Sequence, residues 1–336
     1  MTRWTHRLWS LGLGLLLSGS NALAQSAASP TGTEPAGPAA FRTADGAYQT
    51  LRTPESAEGA SVDPYFVNKA FIVRLEAGLD ERQPLRDWLN WLLPRQRADG
   101  GFDRYCRRDP GWTACQKADA DDSMAATTLH LITLARQRGW LDESLTPRAN
   151  AASARARQLL ATLLDRRTGL YRVFAGQDLF LLMDNAEVYD ALVVSGQRTA
   201  ASALATAMRR HFHTGHDWAP SLTPYDRRSF YPHDLAPAYL WTNGLIPPAD
   251  AGVEMAAWVA QHSSGWLSRQ SDAYPWGLVA WQIRRAAPAM AACWRAAIRQ
   301  NPPSATHWTL LDASVDQALA HIGVGQTCAL LPRSTR

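Results

Sequence analysis

Lysine is almost missing from this sequence: Lys69 and Lys117 are the only two among 34 cationic residues, and arginine supplies the rest. No Arg or Lys cluster forms the stripe that follows a nucleic-acid backbone, and a net charge of +4 is too modest to compensate, so nucleic acid is excluded as a partner. Long apolar runs are scarce too. The run Leu11 to Leu17 falls well short of the about 20 residues that cross a bilayer, and no later segment exceeds it, so no stable membrane anchor is expected. No Ser or Cys nucleophile motif is present and no cofactor is expected. His211, His213 and His216 crowd one loop, with His233 nearby, but their spacing suits a metal site poorly and none is assigned.

The amino terminus carries Arg3 and Arg7, then the apolar run, then Asn21-Ala22-Leu23-Ala24. That order is read by signal peptidase, and it predicts cleavage after about Ala24 and a periplasmic or secreted address. Residues 25–58 are mostly Ala, Ser, Pro, Thr and Gly, a composition with little to bury, and are read as a flexible leader. Residues 59–336 are read as a single catalytic domain with a deep core. Four cysteines in an exported chain suggest two disulfides. Cys106 with Cys115 and Cys293 with Cys328 are the local pairings, and the two other connectivities stay open.

From Pro64 onward apolar residues recur at helical spacing, giving about eleven or twelve helices and no convincing strand. After every second helix comes a longer loop with Gly and an aromatic: Gly100-Gly101-Phe102, Gly169-Leu170-Tyr171, Gly215-His216-Asp217-Trp218 and Gly265-Trp266. Each leads to a helix that opens with an acid. This is a run of degenerate helical hairpins, and it predicts an all-α (α/α)6 toroid in which inner helices start at one rim and their first turns line one cleft.

Asp63, Asp119, Asp184, Asp234 and Asp272 each read first as helix caps. Capping does not account for Asp119, Asp121 and Asp122 together, because like charges repel and one cap suffices. Crowding should raise the proton affinity of at least one of them, as a general acid at neutral pH requires. Glu187, three residues past Asp184, reads as a capping-box glutamate or as a second carboxylate across the cleft. Paired carboxylates around a bound sugar are the machinery of glycoside hydrolysis. Trp88 and Trp91 are assigned to the core. Of 14 tryptophans, Trp112, Trp218, Trp266 and Trp276 fall at the rim with Tyr171, Tyr225, Tyr231 and Tyr274, where aromatic faces could stack on pyranose rings. Asp184, Tyr171, Trp218, Tyr231, His233, Asp272, Tyr274 and Trp276 are therefore the candidate substrate contacts. Tyr231 and His233 would serve a polysaccharide lyase as base.

Asp119-Ala120-Asp121-Asp122-Ser123-Met124-Ala125 resembles the Asp-Gly/Ala-Asp-x-x-Ile/Met-Ala signature of family 8 glycoside hydrolases, exported (α/α)6 enzymes working on β-glucans and related polymers. His233-Asp234-Leu235-Ala236 resembles the family's Tyr-Asp-Ala segment, which implies Asp234 as general base. The family's Ser-Glu-Gly acid has no counterpart, Asp63-Pro64-Tyr65 standing there instead. Trp91 to Phe102 and Asp119-Ala120-Asp121-Asp122-Ser123 also resemble the Gln-Trp repeat and Asp-x-Asp-Asp-Thr donor of squalene-hopene and class II terpene cyclases, which use two barrels and about twice this length. The resulting expectation is a carbohydrate-active enzyme, a glycoside hydrolase with Asp119, Asp121, Asp122, Glu187 and Asp234 around the cleft and a polysaccharide as substrate. The alternatives are a lyase, a terpene-cyclase-like protein, and a glycan-binding subunit partnered with a polysaccharide synthesis or export machine.

Overall fold

Helices that are apolar on every side must be enclosed, and those with one apolar stripe must lie on the outside. Both kinds alternate along this chain. The computed structural model describes residues 35–52, 60–108, 111–215, 217–223, 233–268, 277–304 and 307–329. The enclosed set is α1 (Pro64–Glu76), α3 (Asp121–Gln137), α5 (Leu182–Val194), the 3₁₀ helix Ala236–Leu240, α8 (Gly277–Ile283) and α10 (Leu310–His321). In α3 every residue from Asp121 to Ala135 is buried. The outer set is α2 (Arg82–Leu92), α4 (Leu145–Leu163), α6 (Arg198–Phe212), α7 (Pro248–Ser268) and α9 (Pro288–Gln300). In α2 the stripe Leu85, Trp88, Leu89, Trp91 and Leu92 faces in.

The six inner elements contact one another in chain order, and α10 returns to α1. That closure makes an (α/α)6 toroid, as the hairpin alternation predicts. Among the described residues no helix is long and apolar enough to cross a membrane. The proposed signal segment lies outside the described residues.

The structure departs from the sequence reading in three places. Residues 35–52 are no loose leader, for Phe41 and Tyr48 are buried and Tyr48 packs edge-on against Phe71 and Trp88. Leu51 bridges to Thr309, and Trp308 Nε1 donates to the Ala36 carbonyl at 2.7 Å, so this segment packs against the start of α10. A few large side chains anchored it against a composition that is otherwise poor in apolar residues. Second, strands exist: β1 (Ser61–Val62), β2 (Asp103–Arg108) and β3 (Gly111–Lys117) form an antiparallel sheet in that order. Only Tyr105 is buried in the β2–β3 ribbon, so the hydrophobic alternation that announces a strand is missing there. Third, Gly265-Trp266 is no rim loop. It continues α7, and Trp266 is fully buried edge-on to Trp258, eight residues back on the same face. That burial outweighs the about 1 kcal/mol that a helical glycine costs.

The disulfides are the local pairs, Cys106–Cys115 across the β2–β3 ribbon and Cys293–Cys328 from α9 to the chain beyond α10. The Gly100-Gly101-Phe102 loop shows what its glycines are for. Gly100 has φ +96°, and a Cβ there would lie 2.5 Å from the Arg155 carbonyl oxygen. Gln96 Nε2 donates to the Gly100 carbonyl at 2.9 Å and to that of Ala152 at 3.2 Å, tying the loop to α4.

Candidate functional site

Three acids within four residues would repel, and the fold resolves the repulsion one residue at a time. Asp119 is largely exposed and is bonded by Arg104, which also donates to Asp63 at 2.6 Å. Asp63 in turn caps α1 by accepting from Tyr65 N at 3.0 Å. Asp121 accepts from Arg97 at 2.8 Å and from Lys117 at 3.1 Å. Arg97 is fixed by its other bonds, to the Phe102 carbonyl at 2.7 Å and to Asp103 at 2.8 Å. The β2–β3 ribbon thus supplies Arg104 and Lys117 as clamps for the acids at the start of α3.

Asp122 receives no cation in this way. It is fully buried, its Oδ1 accepts only from the next backbone amide, Ser123 N, at 2.8 Å, and its Oδ2 has no donor. Asp184, in the first turn of α5, is also buried with an unsatisfied Oδ2. The two carboxyls lie within hydrogen-bonding reach of each other. Burial first, then the charge of Asp184, pushes Asp122 well above the usual carboxylate range. Burial and then Glu187 push Asp184 up to about 8. Two carboxylates cannot share a dry site unless a proton lies between them, so this pair holds at least one at neutral pH.

Glu187 completes the group. Its Oε1 accepts from the Tyr65 hydroxyl at 2.8 Å and from Lys69 Nζ at 2.9 Å, while its Oε2 is buried without a donor. Burial works against the Lys69 ammonium, but Glu187 and Tyr239 outweigh it and hold it above its ordinary range. Between Asp184 and Glu187, Asn185 has a structural task. Its amide accepts from Tyr171 N at 2.8 Å and donates to the Tyr171 and Leu181 carbonyls, locking the Gly169-Leu170-Tyr171 loop onto α5.

The structure therefore brings Asp122, Asp184 and Glu187 together, with Asp119 and Asp121 held on the same rim by cations. Asp234 sits on the turn before the 3₁₀ helix, with His262 of α7 at 3.7 Å and Trp258 Nε1 donating to its carbonyl at 2.6 Å. His233 precedes it, partly buried. Tyr171 and Trp218 are buried, and Trp218 packs on His213 with ring centroids 4.9 Å apart. Tyr231, Asp272, Tyr274 and Trp276 lie outside the described residues. Among the described residues no group of three or more His, Cys, Asp or Glu side chains is arranged to hold a metal ion.

No protein-family model matches the chain, and no curated protein sequence matches it. Solved structures do. A wild-type glycosidase superposes with a TM-score of 0.57 at 13% identity, covering 85% of this chain and 94% of the other. A glycosidase variant in complex with glucose gives 0.52 at 15% identity, over 83% and 86%. A reducing end xylose-releasing exo-oligoxylanase gives 0.53 at 14% identity, over 87% of each. The chain shares its fold with toroid glycosidases. A type II terpene cyclase superposes at a TM-score of only 0.39, too low to argue from. At these identities the likeness reaches the fold and no further.

Within this glycosidase fold, sequence reasoning overlooked Tyr65 and Lys69, which orient Glu187 from α1. The signal available was polarity inside an apolar helix. Asn68 and Lys69 interrupt a segment whose other residues from Val67 to Leu75 are apolar up to Arg74, and a buried charge inside a helix needs a partner across the axis. Gly101 carries a testable role as well. A Cβ there would lie 2.3 Å from Arg97 Nη2 and 3.0 Å from Asp121 Oδ1. Gly101→Ala should push the guanidinium off Asp121 and lower the melting temperature by a few degrees. An unchanged melting curve would show that the Arg97 clamp contributes nothing to stability.

Proposed function

We propose that this chain is an exported glycoside hydrolase that cleaves a polysaccharide, with the Asp122–Asp184 pair as proton donor and Glu187 as the second carboxylate. The observation that carries this reading is the pair itself: two buried acids, each with an unsatisfied oxygen, that keep a proton at neutral pH. Protonating the oxygen of a glycosidic bond requires such a group, and most carboxyls have lost their proton at that pH. Asp184 retains 5% of its surface and Asp122 none, so Asp184 is the member that meets the sugar and Asp122 backs it. Glu187, set by Tyr65 and Lys69, supplies the second carboxyl group that the other half of the reaction needs. Asp119 and Asp121 hold the rim together through Arg104, Arg97 and Lys117. Asp234 remains the expected general base, and His233, Tyr231, Asp272, Tyr274 and Trp276 remain expected substrate contacts. The glycosidase fold supports the reading at the level of architecture.

The test is incubation of residues 25–336 with a panel of bacterial and plant polysaccharides, following reducing ends and the ultraviolet absorbance of unsaturated products. New reducing ends without absorbance are expected. Absorbing products would mean a lyase, and tight binding without any new ends would mean a glycan-binding subunit of an export system.

A further inference from the structure

The inner helices enclose a second polar space, toward the end of the barrel away from the rim. It runs from the carboxyl ends of α1, α5 and α8, past His130 in the middle of α3, and stops at Lys69 and Glu187, with a volume of about 360 Å³. Glu76, Trp281, Arg284 and Arg285 line both this space and a more open recess of about 440 Å³ beside Ile322 and Val324, so the two form one passage to solvent. Asp122 and Asp184 line neither. The Lys69–Glu187 ion pair stands between the passage and the acid pair.

The walls carry one cation in excess. Lys69 is answered by Glu187 at 2.9 Å, and Arg284 faces Glu76 at 3.8 Å. Arg285 is exposed, and no carboxylate among the described residues answers it. Asp190 adds no full charge at neutral pH, since burial above all pushes it up to about 8, and burial pushes His130 down to about 4 and leaves it neutral. Arg284 is held rigidly, its guanidinium 3.5 Å from the Trp281 ring centroid and its Nη1 donating to the Trp281 carbonyl at 2.5 Å. Gln282 accepts from the Thr242 hydroxyl at 2.7 Å through Oε1, which leaves its amide nitrogen to donate into the passage.

We propose that this passage binds a sugar acid, a monosaccharide-sized ligand whose carboxylate meets Arg284 and Arg285 and whose hydroxyls meet Gln282 and its polar neighbours. Arginine pairs suit carboxylates because the planar fork matches the two oxygens, and the volume suits one pyranose ring with water around it. A plain anion would use the arginines alone, and a neutral sugar would leave Arg285 unanswered.

Calorimetric titration at constant ionic strength with glucuronate, glucose and acetate tests this without requiring turnover, so it stands apart from the hydrolase reading. Glucuronate should bind saturably and at least tenfold more tightly than glucose or acetate. Arg285→Gln, an exposed change with no packing cost, should weaken glucuronate at least tenfold while leaving the melting temperature of the free protein unchanged. Asp184→Asn should leave glucuronate binding as it was. Equal affinity for acetate or glucose, indifference to Arg285→Gln, or loss of binding in Asp184→Asn would overturn the proposal.

Discussion

Asp184→Asn should lower turnover of whichever polysaccharide responds by about 10²- to 10⁴-fold, the range by which a positioned proton donor accelerates a reaction. The fold should survive it. Asn keeps the shape of Asp, and its amide can donate to Asp122 in place of a shared proton. At pH 7 Asp184 already carries its proton, so the substitution exchanges one neutral group for another and the melting temperature should be nearly unchanged. This separates chemistry from scaffold. Asp121→Asn offers the contrast: it strips Arg97 and Lys117 of their shared carboxylate and should cost stability. If Asp184→Asn retains full turnover and Asp121→Asn loses it, the proton donor has been assigned to the wrong member of the cluster.

The toroid was legible because its punctuation repeats. Gly100-Gly101-Phe102 and Gly169-Leu170-Tyr171 each close a hairpin, and each is tied down by a polar side chain, Gln96 in one case and Asn185 in the other. Trp266 shows the limit of that rule, since a glycine followed by an aromatic also occurs inside a helix when the aromatic face continues. The acid cluster was legible as an anomaly, but not its internal division. Telling Asp122 from Asp119 and Asp121 requires knowing where Arg97, Arg104 and Lys117 point. Arg104 and Lys117 stand on the β2–β3 ribbon and Arg97 is held by Asp103 at its start, and the ribbon's polar faces left no strand signal in the sequence. Glu187 was visible as a candidate, whereas its partners Tyr65 and Lys69 lie 122 and 118 residues away along the chain and meet it only because the ring of inner helices closes.

Stability should fall as pH rises from about 4 to about 8, the reverse of what salt-bridged carboxylates produce. Asp184 and Asp190 are each pushed up to about 8 by burial, the charge of Glu187 adding to it at Asp184 and that of Glu76 at Asp190, where Lys69 opposes the rise. In the unfolded chain they titrate near 4. Within that window the folded protein binds more protons than the unfolded one, so each group contributes stability that is complete below about 4 and lost as pH rises through about 8. The slope is about 1.4 kcal/mol per pH unit for each proton. His130 acts the other way, because burial pushes it down to about 4 and the unfolded chain therefore binds its proton first below about 6.5. It cancels one proton of the difference between pH 4 and 6.5 and none above, so the decline should steepen between pH 6.5 and 8. Urea midpoints at half-unit intervals would show the bend. In Asp184→Asn the upper limb should flatten by one proton's worth. A midpoint that rises across this range would mean that these acids are ionised in the folded protein, and the Asp122–Asp184 pair would then have no proton to give.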